Sequence, residues 1–200
     1  MNVTLFGTTF ITLFVIMDPP GTVPIFLALT SGRSRATRRR LAQQAAIVSL
    51  LVISSFAAFG QQILNYLGIT VPALEGSGGL LLLLIALELL TGRADEPSET
   101  ADVNVAMVPL GTPLLAGPGA IVAVIVFVQR IHQAGDFLAV AAAILLVHVV
   151  IWLTMRFSVV IIRVIKESGV TLVTRIAGLL LAAIAVQMVA TASIAFSKLA

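Results

Sequence analysis

In this 200-residue chain the residues best suited to chemistry interrupt an apolar run: Asp18-Pro19-Pro20-Gly21-Thr22-Val23-Pro24. The motif begins about 15 residues, or roughly 22 Å of helix, after the start of that run. No regular helix passes through it. Prolines 19, 20 and 24 remove amide donors, Pro19 and Pro20 crowd the carbonyls of the preceding turn, and Gly21 admits unusual dihedrals. Exposed to lipid, such a break leaves carbonyls unsatisfied in hydrocarbon, so it must be buried in protein or line a wet cavity. Asp18 is an ionisable group at membrane depth, where a charge costs at least about 2.5 to 3.5 kcal/mol. That expense marks it as functional, or as a cap on the half-helix that begins after it, and the two roles are compatible.

A second break follows at Thr112-Pro113 and Ala116-Gly117-Pro118-Gly119-Ala120. It has no carboxylate beside it. The half-helices starting after Pro20 and after Pro118 are each expected to present unpaired amides, and the positive dipole end after Pro118 to attract an anion such as a substrate carboxylate. The second break otherwise reads as a simple kink repaired by neighbouring helices. Glu88 and Gln187, 99 residues apart and each near a membrane face, are further polar or coupling candidates, although Glu88 is also placed to snorkel to the interface. Glu75, at the outer end of its segment, is expected to face water. His148, Trp152 and Arg156 share one helical face at i, i+4 and i+8. A hydrogen-bonded packing histidine and a proton relay are both open for His148.

There is no phosphate-binding glycine loop, no His-Glu-x-x-His metal motif and no Gly-x-Ser-x-Gly elbow. Two histidines and no cysteine are too few for a zinc centre and exclude disulfides. The chain is therefore expected not to be an enzyme and to carry no metal or cofactor.

The composition says what must hold these breaks. With 59% hydrophobic and only 10% charged residues, against about a quarter charged in a soluble domain, there is too little polar material to coat a water-facing surface. Apolar runs repeatedly reach the roughly 20 residues that a bilayer core requires. Six segments emerge, at 3–29, 41–66, 71–90, 107–128, 137–155 and 172–196. Between them lie a basic loop (Arg33, Arg35, Arg38, Arg39, Arg40), a turn at 67–70, a polar linker at 93–104, a turn at 130–136 and a second basic stretch (Arg156, Arg163, Lys166, Arg175). The stretch 157–165 reads as an extension of helix five or as an interfacial turn with snorkelling bases. Residues 1–17 lack the basic start of a secretory signal and read as the first half of a retained helix. The net charge of +3 sits in short connections, which is topology and not a nucleic-acid footprint.

The segments also repeat. Pro20-Gly21 and Pro118-Gly119 stand 98 residues apart, and Gly78-Gly79-Leu80-Leu81-Leu82 is echoed 99 residues later by Ala177-Gly178-Leu179-Leu180-Leu181. Three spans per repeat invert the halves, and helix breaks at matching positions point to a secondary transporter. The expected fold is an all-α membrane protein of six transmembrane helices. It forms a single membrane domain of two inverted three-helix repeats, about 1–92 and 105–200, with helices one and four broken.

These motifs resemble the MarC family of bacterial inner-membrane proteins, also called UPF0056, over essentially the whole chain. The resemblance rests on Asp18 through Phe26, on Asn104-Val105-Ala106-Met107-Val108-Pro109-Leu110, on Ala116-Gly117-Pro118-Gly119-Ala120-Ile121, and on Arg175-Ile176-Ala177-Gly178 through Gln187. Glu75 departs from the family pattern, which has an Arg shortly before the paired glycines. Asp18 and Pro24 make the chain look closer to the SnatA-like branch. That resemblance implies transport of small neutral amino acids such as glycine or alanine and a bacterial inner-membrane location. The acidic side chains at hand suit coupling to H+, and coupling to Na+ is equally open. The substrate site would comprise Asp18, Pro19, Pro20, Gly21, Thr22, Pro24, Thr112, Pro113, Gly117, Pro118 and Gly119. The partners expected are the amino acid and the lipid bilayer, and no nucleic acid. An exporter or channel for another small solute, and a non-transporting membrane scaffold, are the alternatives.

Assigning alternate connections to alternate sides puts ten of the twelve Lys and Arg on one face, which should be cytoplasmic, with both termini outside. Single cysteines at positions 2, 36 and 199, probed with an impermeant thiol reagent in intact cells, are expected to label at 2 and 199 and to be protected at 36. The reverse pattern overturns the orientation.

Overall fold

A computed structural model describes residues 2–91 and 115–197, apart from the side chains of Ala28, Pro118 and Glu167. The expectations for Thr112, Pro113, Asn104 to Leu110 and the linker 93–104 fall outside these residues. Seven helices are described: α1 (Val3–Met17), α2 (Thr22–Leu29), α3 (Arg35–Leu67), α4 (Val71–Thr91), α5 (Pro118–Val128), α6 (Ala134–Arg156) and α7 (Ser158–Ser197). No strand occurs among the described residues. Four stretches are long and apolar enough to cross a membrane: α3, α4, α6 and Ser168–Ser197 of α7; α1 and most of α5 are shorter apolar helices.

Local chemistry sets the boundaries. Asn2 caps α1 by accepting from the Leu5 amide at 3.1 Å. Its amide also donates to Asp136 Oδ1 at 3.0 Å, tying the starts of α1 and α6 together so that the two helices run parallel. Ser34 caps α3 by accepting from the Thr37 amide at 3.2 Å. That cap moves the helix start ahead of the expected Leu41. Arg35, Arg38, Arg39 and Arg40 thus stand on the first turns of a helix and not in a loop. Gly68, at φ 67°, ends α3 in the left-handed conformation that glycine adopts without a Cβ clash. The stretch after Arg156 is not an extension of helix five: Phe157 ends α6, and a separate helical piece runs to a kink at Lys166 (φ 61°, ψ 167°) before the long part of α7.

The most extensive packing joins α4 to α7, antiparallel. A β-carbon on Gly79 would lie 2.8 Å from the Ala185 carbonyl oxygen and 2.8 Å from Val189 Cγ2. A β-carbon on Gly178 would lie 3.3 Å from the Ala86 carbonyl oxygen and 3.2 Å from Leu90 Cγ. Gly79 and Gly178, Ala86 and Ala185, Leu90 and Val189 are each 99 residues apart, so the seam reads the same from either half. Where lipid replaces water, helices associate through such close approaches of small residues. The crossing of α3 and α6 carries the same signature, because Ser49 and His148, again 99 residues apart, bond to each other at 3.1 Å. The Ile144 carbonyl, 2.7 Å from Nδ1, can only accept, so Nδ1 carries the proton and Nε2 accepts from the Ser49 hydroxyl. The contacts of the two broken segments follow suit: α5 packs on α3 as α2 packs on α6, and α5 on α4 as α2 on α7.

Gly79→Ala is expected to lower stability by about 1 to 3 kcal/mol, since backbone atoms of α7 block the new methyl. Gly76→Ala, whose β-carbon would meet only Ala192 Cβ at 3.4 Å, is the control and should be neutral or stabilising. Thermal unfolding in detergent checks both.

Candidate functional site where two helices break

The chain closes the first break with its own backbone. The Asp18 amide still donates to the Phe14 carbonyl at 3.1 Å, but Asp18 itself turns left-handed (φ 38°, ψ 67°). Only a few side chains tolerate that conformation, Asp among them. Pro19 and Pro20 have no amide, so the carbonyls of Val15 and Ile16 lose the donors that a continuing helix would supply. On the far side the Thr22 amide donates to the Asp18 carbonyl at 3.1 Å and the Val23 amide to the Pro20 carbonyl at 3.1 Å. The Thr22 hydroxyl donates to the Pro19 carbonyl at 2.7 Å. Pro24, the next residue of α2, has no amide to give.

This local bonding corrects one expectation about the site. The start of α2 has spent its amides within the turn and has none open in its first three residues for a substrate carboxylate. The first break therefore presents oxygen: the carboxylate of Asp18 and the carbonyl end of α1, both favouring a positive group.

The second break is the opposite. Gly117 is extended (φ −66°, ψ 166°) and Pro118 opens α5 without a donor. The Ile121 amide donates back to the Gly117 carbonyl at 3.1 Å. The amides of Gly119 and Ala120, both buried, have no such acceptor among the described residues. Open amides at a helix start are a ready-made anion site. The two breaks adjoin: a β-carbon on Gly119 would lie 3.5 Å from Cγ2 of Ile16, two residues before Asp18, and would collide with Leu82 Cδ2. Gly119 is therefore wedged against side chains, and the open feature it contributes is its amide and not bare surface on its α-carbon.

Of the expected site residues, Asp18 is 5% exposed and Thr22 3%, Pro19 is buried, and Pro20, Gly21, Pro24 and Gly117 are half-buried. Glu88 and Gln187 are exposed, and the Gln187 side chain contacts Thr191. Glu75 is half-buried and does not simply face water. His148 is bonded at both ring nitrogens, as a packing histidine would be, and Arg156 stacks its guanidinium 5.4 Å from the Trp152 ring centre. One residue escaped the sequence reading. Thr174 of α7 brings Oγ1 to 3.1 Å from where a β-carbon of Gly21 would stand, a point that the Asp18 carboxylate also crowds. Nothing in its apolar helical neighbourhood distinguishes it from an ordinary helix threonine.

Long apolar helices, interrupted at depth by a proline-glycine break with a buried carboxylate, define a polytopic α-helical integral membrane protein. A family model described as "MarC family integral membrane protein" matches residues 3–195, and the chain belongs to that family. It is 36% identical over 196 residues to a UPF0056 membrane protein of Methanocaldococcus jannaschii, covering 94% of this chain and 96% of the relative. It is 38% identical to one from Archaeoglobus fulgidus (92% and 90% covered). To YhcE of Escherichia coli, also a UPF0056 membrane protein, it is 34% identical (91% and 88% covered). No solved structure gives a significant match.

Because Gly119 is wedged against the end of the Leu82 side chain, Gly119→Ala is expected to cost about 1 to 3 kcal/mol. The cost should shrink when Leu82→Val is introduced with it. Strict additivity of the two changes in thermal unfolding would show that the contact does not exist.

Proposed function

We propose that this protein is a secondary carrier of small neutral amino acids, a non-enzymatic member of the SnatA-like branch in the bacterial inner membrane with both termini outside. Six spans form two inverted three-helix repeats, and coupling is to H+ or Na+. The observation that carries the reading is the opposite polarity of two adjoining breaks. One presents a carboxylate and the carbonyl end of α1; the other presents the open amides of Gly119 and Ala120. A zwitterion fits between them, ammonium to Asp18 and carboxylate to the amides. Support for the inverted repeat comes from the reciprocal contacts of Gly79 and Gly178 and from the Ser49–His148 bond, all at an offset of 99 residues.

One observation favours a second reading. Asp18 and Gly119 are both buried, as they would be in a scaffold whose breaks serve only packing. In a carrier the same burial is an occluded stage between two open ones.

Counterflow of labelled glycine in proteoliposomes separates the two readings, since a scaffold supports none. Glycine should compete at least about tenfold better than glycinamide or acetate, because a hydrogen bond to a charged group is worth about 1.5 to 3 kcal/mol. Equal competition by glycinamide means that the carboxylate is not read. Asp18→Asn should fold and transport poorly; unchanged transport across the pH range reduces Asp18 to a cap and removes it from any proton coupling.

A further inference from the structure

We infer that Thr174 reads the substrate: its hydroxyl is the second acceptor, beside the Asp18 carboxylate, for the ammonium group of the amino acid. The assignment rests on the carrier reading above and adds a residue to that site. Its first support is a departure from the chain's own habit. Hydroxyls on these helices bond back to a carbonyl one turn earlier, as Thr30 does to Phe26 at 2.6 Å, Thr154 to Val150 at 2.8 Å and Thr191 to Gln187 at 2.9 Å. Thr174 Oγ1 does not: it is buried and has no hydrogen-bond partner among the described residues. A buried hydroxyl left unmade in a low-dielectric interior costs stability and calls for an explanation.

The second support is direction. Thr174 Oγ1 and the Asp18 carboxylate, arriving from α7 and from the end of α1, converge on the space that a side chain at position 21 would fill. Gly21 keeps that space free for them. Two oxygens from different elements, next to a helix end stripped of amides by Pro19 and Pro20, suit a group with several diverging N–H donors. A primary ammonium is such a group. An anion is excluded by the adjacent carboxylate. Thr9 is a second buried hydroxyl without a partner among the described residues, but it lies about 13 Å along α1 from the break and outside this convergence.

Two substitutions make opposite forecasts for a hydroxyl that binds and a side chain that packs. Thr174→Val keeps the shape and removes the hydroxyl, whereas Thr174→Ser keeps the hydroxyl and removes a methyl. On purified full-length protein, isothermal titration and thermal shift with glycine are expected to show at least tenfold weaker binding for the Val variant, with an unliganded unfolding temperature equal to or above wild type. The Ser variant should bind within about threefold of wild type. Wild-type glycine affinity in the Val variant, or a larger loss in Ser than in Val, overturns the assignment while leaving the carrier reading intact. So does a loss in the Val variant that added sodium restores, because the hydroxyl would then be serving a metal cation. No glycine binding by the wild type overturns the amino acid reading and Thr174 with it, and this is seen before any residue is changed.

Discussion

Hydrocarbon cannot complete a backbone hydrogen bond, and every arrangement around Asp18 answers to that constraint. Two prolines in succession strip the last turn of α1 of its donors. The chain then repairs what it can within seven residues, through the Thr22 and Val23 amides and the Thr22 hydroxyl. The repair is one-sided. It satisfies the start of α2 and leaves the end of α1 rich in oxygen, so a break that sequence alone renders as two symmetric half-helix ends becomes a site of one sign. The surrounding helices then have to cover it, and glycines stand where they come close: Gly21 where Thr174 of α7 approaches, and Gly119 of α5 where it meets Leu82 of α4 and Ile16 of α1.

The α4–α7 seam does for the whole bundle what those glycines do locally. In water, burial of apolar surface would hold two such helices together. In lipid that drive is absent, and close backbone approach has to replace it. Gly79 against Ala185 and Gly178 against Ala86 bring the two backbones into van der Waals contact at two points related by exchange of the halves. Leu82 and Leu181, also 99 residues apart, are both fully buried. Two fixed points on one seam define an axis about which the remaining helices arrange themselves.

Much of this was legible before any coordinates. The Asp18 break was, because consecutive prolines beside a carboxylate have no other outcome in an apolar run. The paired glycines were, because a spacing of 99 survives in one-letter code. The position of α3 was missed because hydropathy marks where lipid contact begins, whereas a helix begins at its cap, and Ser34 sits seven residues ahead of Leu41, where the sustained apolar run begins. The true polarity of the first break was missed for a related reason. Whether an amide at a helix start is open depends on the turn that precedes it, and Asp18 adopting a left-handed conformation is a property of three-dimensional closure. Thr174 was invisible because its distinction is a bond it does not make.

Asp18 and Gly117 are themselves 99 residues apart, so on the proposed inverted repeat the buried carboxylate of the first break is matched by a residue with no side chain at all. Ser49 and His148 tell the same story with donor and acceptor. Two identical chains meeting on a rotation axis must offer a guest the same group from both sides, and such a pair suits a symmetric ion or a symmetric molecule. Joining the halves in one polypeptide lifts that restriction, since each position mutates alone. On the proposed reading, a fused duplicate is thus free to acquire a head and a tail at its centre, which the proposed zwitterionic cargo requires and a homodimer of half-length chains could never supply at its axis.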